Sequence, residues 1–336
     1  MRLHPTSPGS GLGVAVKGPG VGRREAETRR VNVFPESMRN RLRSTFTGQL
    51  EGQPEWVLNL DRGDDAGFFA PGSATWAVHG QTATIVAGVR ALLMQALHPG
   101  AMAGVHDHSR YKEDPLGRLA GTIRWIFTVS YADTETAVAT SNWVLKLHER
   151  VVGTYLDAQN VESPYAANDP ELLSWVHLAF TDSFLATAKL WSGPIPGGAD
   201  AYVREWAKAG ELMGVPNPPR SEAELRDQLH AFVEAGVLKS DDRVAEAVKF
   251  IRRPPLARAL MPGYAVLFEG AVSSIPGEYR RMLGLTPAHI GPLQLPTIGA
   301  TGLVLKVIGS MLGADKPSEL AARRRLTRLG LLEGAA

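Results

Sequence analysis

Ile85-Val86-Ala87-Gly88-Val89-Arg90-Ala91-Leu92-Leu93-Met94-Gln95-Ala96-Leu97-His98-Pro99-Gly100 is the stretch whose reading decides the fold. Ile85, Val89, Leu92, Leu93, Ala96 and Leu97 recur at steps of three and four, which places them on one face of an α-helix, and Pro99-Gly100 stops the pattern. The same period continues outward. Asp114 is an N-cap and Pro115 a first-turn residue for a second helix carrying Leu116, Leu119, Ile123, Ile126 and Phe127. Asp133 caps a third, with Glu135 in its first turn, where a carboxylate meets the positive end of the helix dipole. Val138, Val144, Leu145, Leu147, Val151 and Val152 form its stripe, and Gly153 marks its end. Asn168-Asp169-Pro170-Glu171 opens a fourth, with Leu172, Trp175, Leu178 and Phe184. Further helical stripes fall at residues 201–213, 221–238, 242–251, 263–283 and 303–312, punctuated by prolines at 216–219, 254–255 and 287–296. Alternating β-branched runs joined by hairpin turns do not stand out, nor does an internal repeat or a glycine-rich phosphate loop. The expectation is an all-α chain: a single helical domain over residues 31–336 behind a mobile, basic, glycine-rich tail over residues 1–30.

Composition narrows the chemistry. The 336 residues are 44% hydrophobic and 21% charged, enough to bury a substantial core. Lys and Arg number 36 against 34 Asp and Glu, and the excess lies toward the two ends, a poor footprint for a nucleic-acid binder. With no cysteine, disulfides, iron–sulfur clusters, thiolate-held haem or zinc and cysteine nucleophiles are all excluded. A metal here rests on His, Asp, Glu or Tyr. Thr28-Arg29-Arg30-Val31-Asn32-Val33-Phe34 resembles a twin-arginine export signal, but Pro35-Glu36-Ser37-Met38-Arg39 follows where an apolar run is required, so the expectation is an intracellular, cytoplasmic protein. The apolar stretch at 295–312 is interrupted by Pro296 and Lys306 and reads as a buried helix, with a membrane-surface helix as the alternative.

Five of the nine histidines fall between His79 and His148, yet neither His-Glu-x-x-His nor paired Glu-x-x-His occurs. His106-Asp107-His108 could chelate a metal if extended; a polar helix-to-helix turn is the simpler reading. His148 lies in the apolar stripe of the third helix, where a histidine is either a satisfied core residue or a cofactor ligand. Arg118 and Thr122, four apart, share a helix face, with Trp125 a turn further on. An inward guanidinium needs a partner, either a core carboxylate or a bound ligand.

The string Arg90 to Val105, then His108-Ser109, Asp114-Pro115-Leu116-Gly117-Arg118-Leu119, Thr122, and Leu147-His148-Glu149-Arg150-Val151-Val152-Gly153, Tyr165, Trp175-Val176-His177 and Gly214-Val215-Pro216, resembles the rubber oxygenase/MpaB catalytic domain. That family takes in bacterial latex clearing proteins, the fungal oxygenase MpaB and many actinobacterial proteins. The resemblance is strongest over residues 67–285. It implies a globin-like helical core holding haem b through one histidine, with an Arg-x-x-x-Thr pair on the distal side. By position, His148 resembles the axial iron ligand and Arg118 and Thr122 the distal pair, while His108 and His98 could serve the pocket or the propionates; for His98 a helix-end turn bond is the expected role. The activity implied is an oxygenase, an oxidoreductase that turns dioxygen on an apolar, unsaturated, isoprenoid- or lipid-like small molecule by oxidative C=C cleavage, with an electron donor as a further partner.

Two departures stand beside the resemblance. The family's distal lysine, just before the threonine, is Gly121 here, which implies an open or water-ligated distal position. No carboxylate among Asp107, Glu113 and Asp114 sits in a matching motif. Two other classes remain open: a haem- or lipid-binding protein without turnover, and a His-Asp metal-dependent phosphohydrolase built from His106-Asp107, His79 and Asp182. Arg29-Arg30 and Arg323-Arg324-Arg325 offer peripheral contact with anionic membrane; solvated charge is the simpler account.

Overall fold

The computed structural model describes residues 53–108, 114–313 and 316–332, apart from the side chains of Pro115 and Leu116. The tail expected at residues 1–30 lies outside them. Within them the chain is mostly α-helical. The helices are α1 (Glu55–Leu58), α2 (Ala74–His79), α3 (Thr84–Gln95), α4 (Pro99–His108), α5 (Pro115–Tyr131), α6 (Thr134–His148), α7 (Pro170–Trp191), α8 (Gly198–Leu212), α9 (Glu222–Glu234), α10 (Asp242–Arg252), α11 (Met261–Ser274), α12 (Gly277–Met282), α13 (Thr297–Leu312) and α14 (Pro317–Arg328). Two small antiparallel hairpins interrupt them, β1 (Val152–Leu156) with β2 (Glu162–Ala166), and β3 (His289–Ile290) with β4 (Leu293–Gln294). No single described helix is long and apolar enough to cross a membrane.

The core is built on the deciding stretch. α3 packs along α7, and α11 lies against α3. Val86, Ala87, Ala91, Leu93 and Met94 are buried on the first of these helices, and Trp175, Leu178, Ala179 and Leu185 on the second. Arg90 is buried among them. Its guanidinium pairs with Asp182 of α7 at 2.6 Å and donates to Ser183 Oγ at 2.9 Å. A buried guanidinium is tolerated only when paired in this way. α13 packs on α11 so closely that a Cβ on Gly270 would collide with Thr301 Oγ1, which donates to the Val266 carbonyl at 3.1 Å.

α5 and α6 form an antiparallel pair, each started by the expected cap. Asp114 accepts from the Gly117 amide at 3.0 Å and Asp133 from that of Thr136 at 3.4 Å. Trp125 Nε1 donates to Ser141 Oγ at 3.1 Å and fastens the two together. At the other extreme of the described chain, Arg325 of α14 is buried and donates to the carbonyls of Leu60 (2.6 Å), Asp65 (3.1 Å) and Ala66 (3.3 Å). Arg323 pairs with Glu319 and lies over the Trp76 ring. Arg324 lies 3.8 Å from Asp61, so all three arginines of this cluster have partners within the protein.

Four local expectations are corrected. Pro99 ends one pattern but starts α4, because proline's fixed φ and missing N–H suit a helix's first turn. α6 stops at His148, and Val152 and Gly153 belong to β1 instead of to that helix. The stripe at 263–283 is divided into α11 and α12 at Ile275-Pro276, since proline disfavours helix in the residue before it. His106-Asp107-His108 occupies the last turn of α4, not a turn between helices.

Candidate functional site

A cavity of about 1750 Å³ runs between α3, α5, α10, α11, α13 and α14. Its wall is mainly aliphatic and aromatic: Ile85, Val89 and Leu92 from α3, Ile123, Ile126 and Phe127 from α5, Leu267 from α11 and Val304, Leu305 and Ile308 from α13. Arg118 and Thr122 stand on the same wall, one helical turn apart. Thr122 Oγ1 is 3.4 Å from the Arg118 carbonyl, the long back-bond of a helical threonine. The cavity thus combines a large apolar volume with a few polar groups, among them Arg118, Thr122 and Tyr131 from α5, His79 from α2, Lys306 from α13, and Lys316 and Glu319 at the start of α14. That is the composition of a site that holds an apolar molecule and orients it by a few polar groups.

His148 closes α6 at the end of the helix pair where α5 begins, so it lies near Arg118 and not on the cavity wall. Burial lowers the pKa of its ring, the neighbouring Asn168 side chain opposes that, and the Arg118 charge lowers it further. The imidazole is therefore neutral at neutral pH. Its Nδ1 is buried and has no hydrogen-bond partner. Asn168 donates through Nδ2 to the Leu145 carbonyl at 3.0 Å, in the last turn of α6, while its Oδ1 is likewise buried and unpaired. Asn168 escaped the sequence reading because it was read only as part of a helix start. A polar residue just ahead of a capped helix, next in space to a candidate ligand, is the signal that could have found it.

The other candidates are placed elsewhere. His108 is exposed, and its Nε2 donates to the Val152 carbonyl at 3.0 Å, which holds α4 to β1. His98 makes no helix-end bond with its ring: Nε2 meets Glu171 Oε1 of α7 at 3.1 Å, because the bend between α3 and α4 aims the ring at α7. His79 does reach the cavity wall, but both of its nitrogens are engaged. Ser130 Oγ uses its own hydrogen on the Ile126 carbonyl at 2.7 Å, so it accepts from His79 Nδ1 at 2.7 Å, and Nε2 accepts from the Tyr202 hydroxyl at 3.1 Å. Burial drives the His79 pKa down to about 3. Gly121 is exposed, and a Cβ there would meet nothing within 4 Å, so the missing lysine reflects no packing constraint.

His106 donates to Asp107 at 3.0 Å, whereas His79 is held by Ser130 and Tyr202 and Asp182 by Arg90. No group of three or more His, Asp or Glu side chains gathers at a metal-binding spacing among the described residues. The arrangement required for a His-Asp phosphohydrolase is not assembled there.

The described residues thus form a mostly helical domain around a large, mainly apolar cavity with Arg118 and Thr122 on its wall. Comparison supplies the class. Residues 76–297 match the family described as "ER-bound oxygenase mpaB/B'/Rubber oxygenase, catalytic domain", and the chain belongs to that family of oxygenases. No curated protein and no solved structure matches it.

Proposed function

We propose that this protein is a haem b-dependent oxygenase acting on an apolar, unsaturated molecule of isoprenoid or lipid type. The observation that carries the reading is the Arg118–Thr122 pair on the wall of a roughly 1750 Å³ apolar cavity, in a chain of an oxygenase family. The donor chemistry fits haem: His148 offers a neutral imidazole with a buried, unpaired nitrogen, the form in which histidine binds iron. His148, outside the cavity lining but beside Arg118, would hold the iron, and the Asn168 side chain beside the ring would orient it. Haem, when bound, supplies dioxygen activation. Arg118 would supply a positive charge on the cavity wall able to stabilise negative charge developing on dioxygen, with the Thr122 hydroxyl as a second donor. The aliphatic wall excludes water and holds the substrate's unsaturated chain against that pair. Dioxygen and the apolar substrate are the partners required, and an electron donor serves any step that needs reduction.

The test is an absorption spectrum of the protein after haem loading, before and after dithionite, beside His148→Ala and Arg118→Gln. A Soret band that shifts on reduction and is lost in His148→Ala is expected. Folded wild-type protein that takes up no haem would overturn the reading. Oxygen uptake with unsaturated lipids then separates turnover from simple binding: Arg118→Gln should retain haem and lose oxygen consumption, and no uptake by wild type would favour the non-catalytic binder.

A further inference from the structure

α13 is both a wall and a surface. Val304, Leu305 and Ile308 face the cavity, while Leu303 and Val307, one turn apart, are 66% and 40% exposed. Leu303 and Val307 also belong to the cavity lining, so they stand where the cavity meets solvent. Leu190, 45% exposed, does the same at the end of α7, where Trp191 Nε1 donates to the Ile298 carbonyl of α13 at 3.0 Å. The chain entering α13 forms the β3–β4 hairpin and carries Ile290 and Leu293, 70% and 68% exposed. Single exposed aliphatics are ordinary; a series of them along one segment that ends at a cavity mouth is not.

The stretch of sequence that carries this surface is basic. Residues 248–314 hold seven Lys and Arg (Lys249, Arg252, Arg253, Arg258, Arg280, Arg281 and Lys306) against Glu269 and Glu278, a net +5 where the whole chain is +2. Arg252, Arg253, Arg258 and Lys306 are exposed, and Pro254, Leu256, Ala259, Leu260, Gly263 and Tyr264 line the cavity.

We infer that this face docks on the surface of a bilayer containing anionic phospholipid, so that the mouth of the cavity opens onto the acyl region. Aliphatic side chains enter the headgroup boundary while Lys and Arg pair with lipid phosphates and carboxylates, the two-part recognition used by peripheral proteins. A second copy of the chain fits less well, since a two-fold contact would set one basic face against another. The surface names the source of the substrate in the proposed function, yet it rests on the cavity and its rim and not on haem, so His148→Ala should dock as wild type does.

The experiment is co-flotation of the full chain with vesicles of phosphatidylcholine alone and with added phosphatidylserine, at low and high salt. Binding should be about tenfold tighter or more on the anionic vesicles and should weaken in salt. Leu303→Glu and Leu293→Glu, both at exposed positions, should each lower it about tenfold, whereas Leu320→Glu on α14 should leave it unchanged. Circular dichroism reports whether each variant is folded, and Leu303→Ala replaces the glutamate variant if that one unfolds. Folded wild-type protein that binds neither vesicle overturns the inference, as does undiminished binding by folded Leu303 and Leu293 variants. A dimer seen by light scattering and broken by Leu303→Glu, without vesicle binding, assigns the face to self-association instead.

Discussion

His79 and His148 both sit on helices among apolar neighbours, and in the sequence nothing in their immediate surroundings tells them apart. His79 is clasped between Ser130 and Tyr202, packed edge-on against Trp206 and Phe184, and wholly buried. His148 is half-buried, shares its neighbourhood with Arg118, and leaves Nδ1 unpaired. The first ring has spent its hydrogen-bonding capacity on the fold and the second has not. Histidine's role is therefore decided by what its nitrogens lack, a property of three dimensions that spacing does not encode.

The comparison breaks most visibly at His79. His79→Ala should cost about 3–4 kcal/mol in chemical denaturation, because it opens a hole and strands the buried Tyr202 hydroxyl, while His148→Ala should cost less than about 1 kcal/mol. Equal losses at the two positions would erase the distinction. The order should reverse for ligand binding: His148→Ala should weaken haem uptake about a hundredfold or more in a spectroscopic titration.

Acid sharpens the contrast between charged and neutral forms. Burial lowers the pKa of His79 to about 3 and that of His177 to about 4, from 6.5. The unfolded chain binds these protons first, so stability is complete above about pH 6.5 and declines as pH falls toward 4, by up to about 1.4 kcal/mol per pH unit per histidine. Melting curves across that range check it, and His177→Leu should flatten the slope, since its buried Nε2 has no partner to lose. The smallest effect belongs to Asn168→Ala, expected to loosen haem about tenfold while leaving the helix pair folded.

Much of the architecture was legible because α3, α5 and α7 repeat their apolar residues with the helical period and begin or end at recognisable caps. The β1–β2 hairpin was not: Val151 and Val152 continue the stripe of α6, and Pro164 in β2 argues locally against a strand. What decides it is tertiary, since Tyr165 is buried and donates to Asp107 of α4 at 3.2 Å. The site divides in the same way. Arg118 and Thr122 were readable from spacing and resemblance, and the structure sets both on the cavity wall. Asn168 and the engagement of His79 depend on residues 20 to more than 100 positions distant, which no local pattern reports.

Arg325 carries one further consequence. The family match ends at residue 297, yet this guanidinium, 28 positions later, closes over carbonyls at residues 60–66, ahead of the point where the match begins. Segments outside the shared region thus finish each other's hydrogen bonding and cover Leu60, Ala321, Ala322 and Leu326. The unit that folds is longer than the unit that is recognised, and a fragment trimmed to residues 76–297 would lose this clasp together with nearly all of α13.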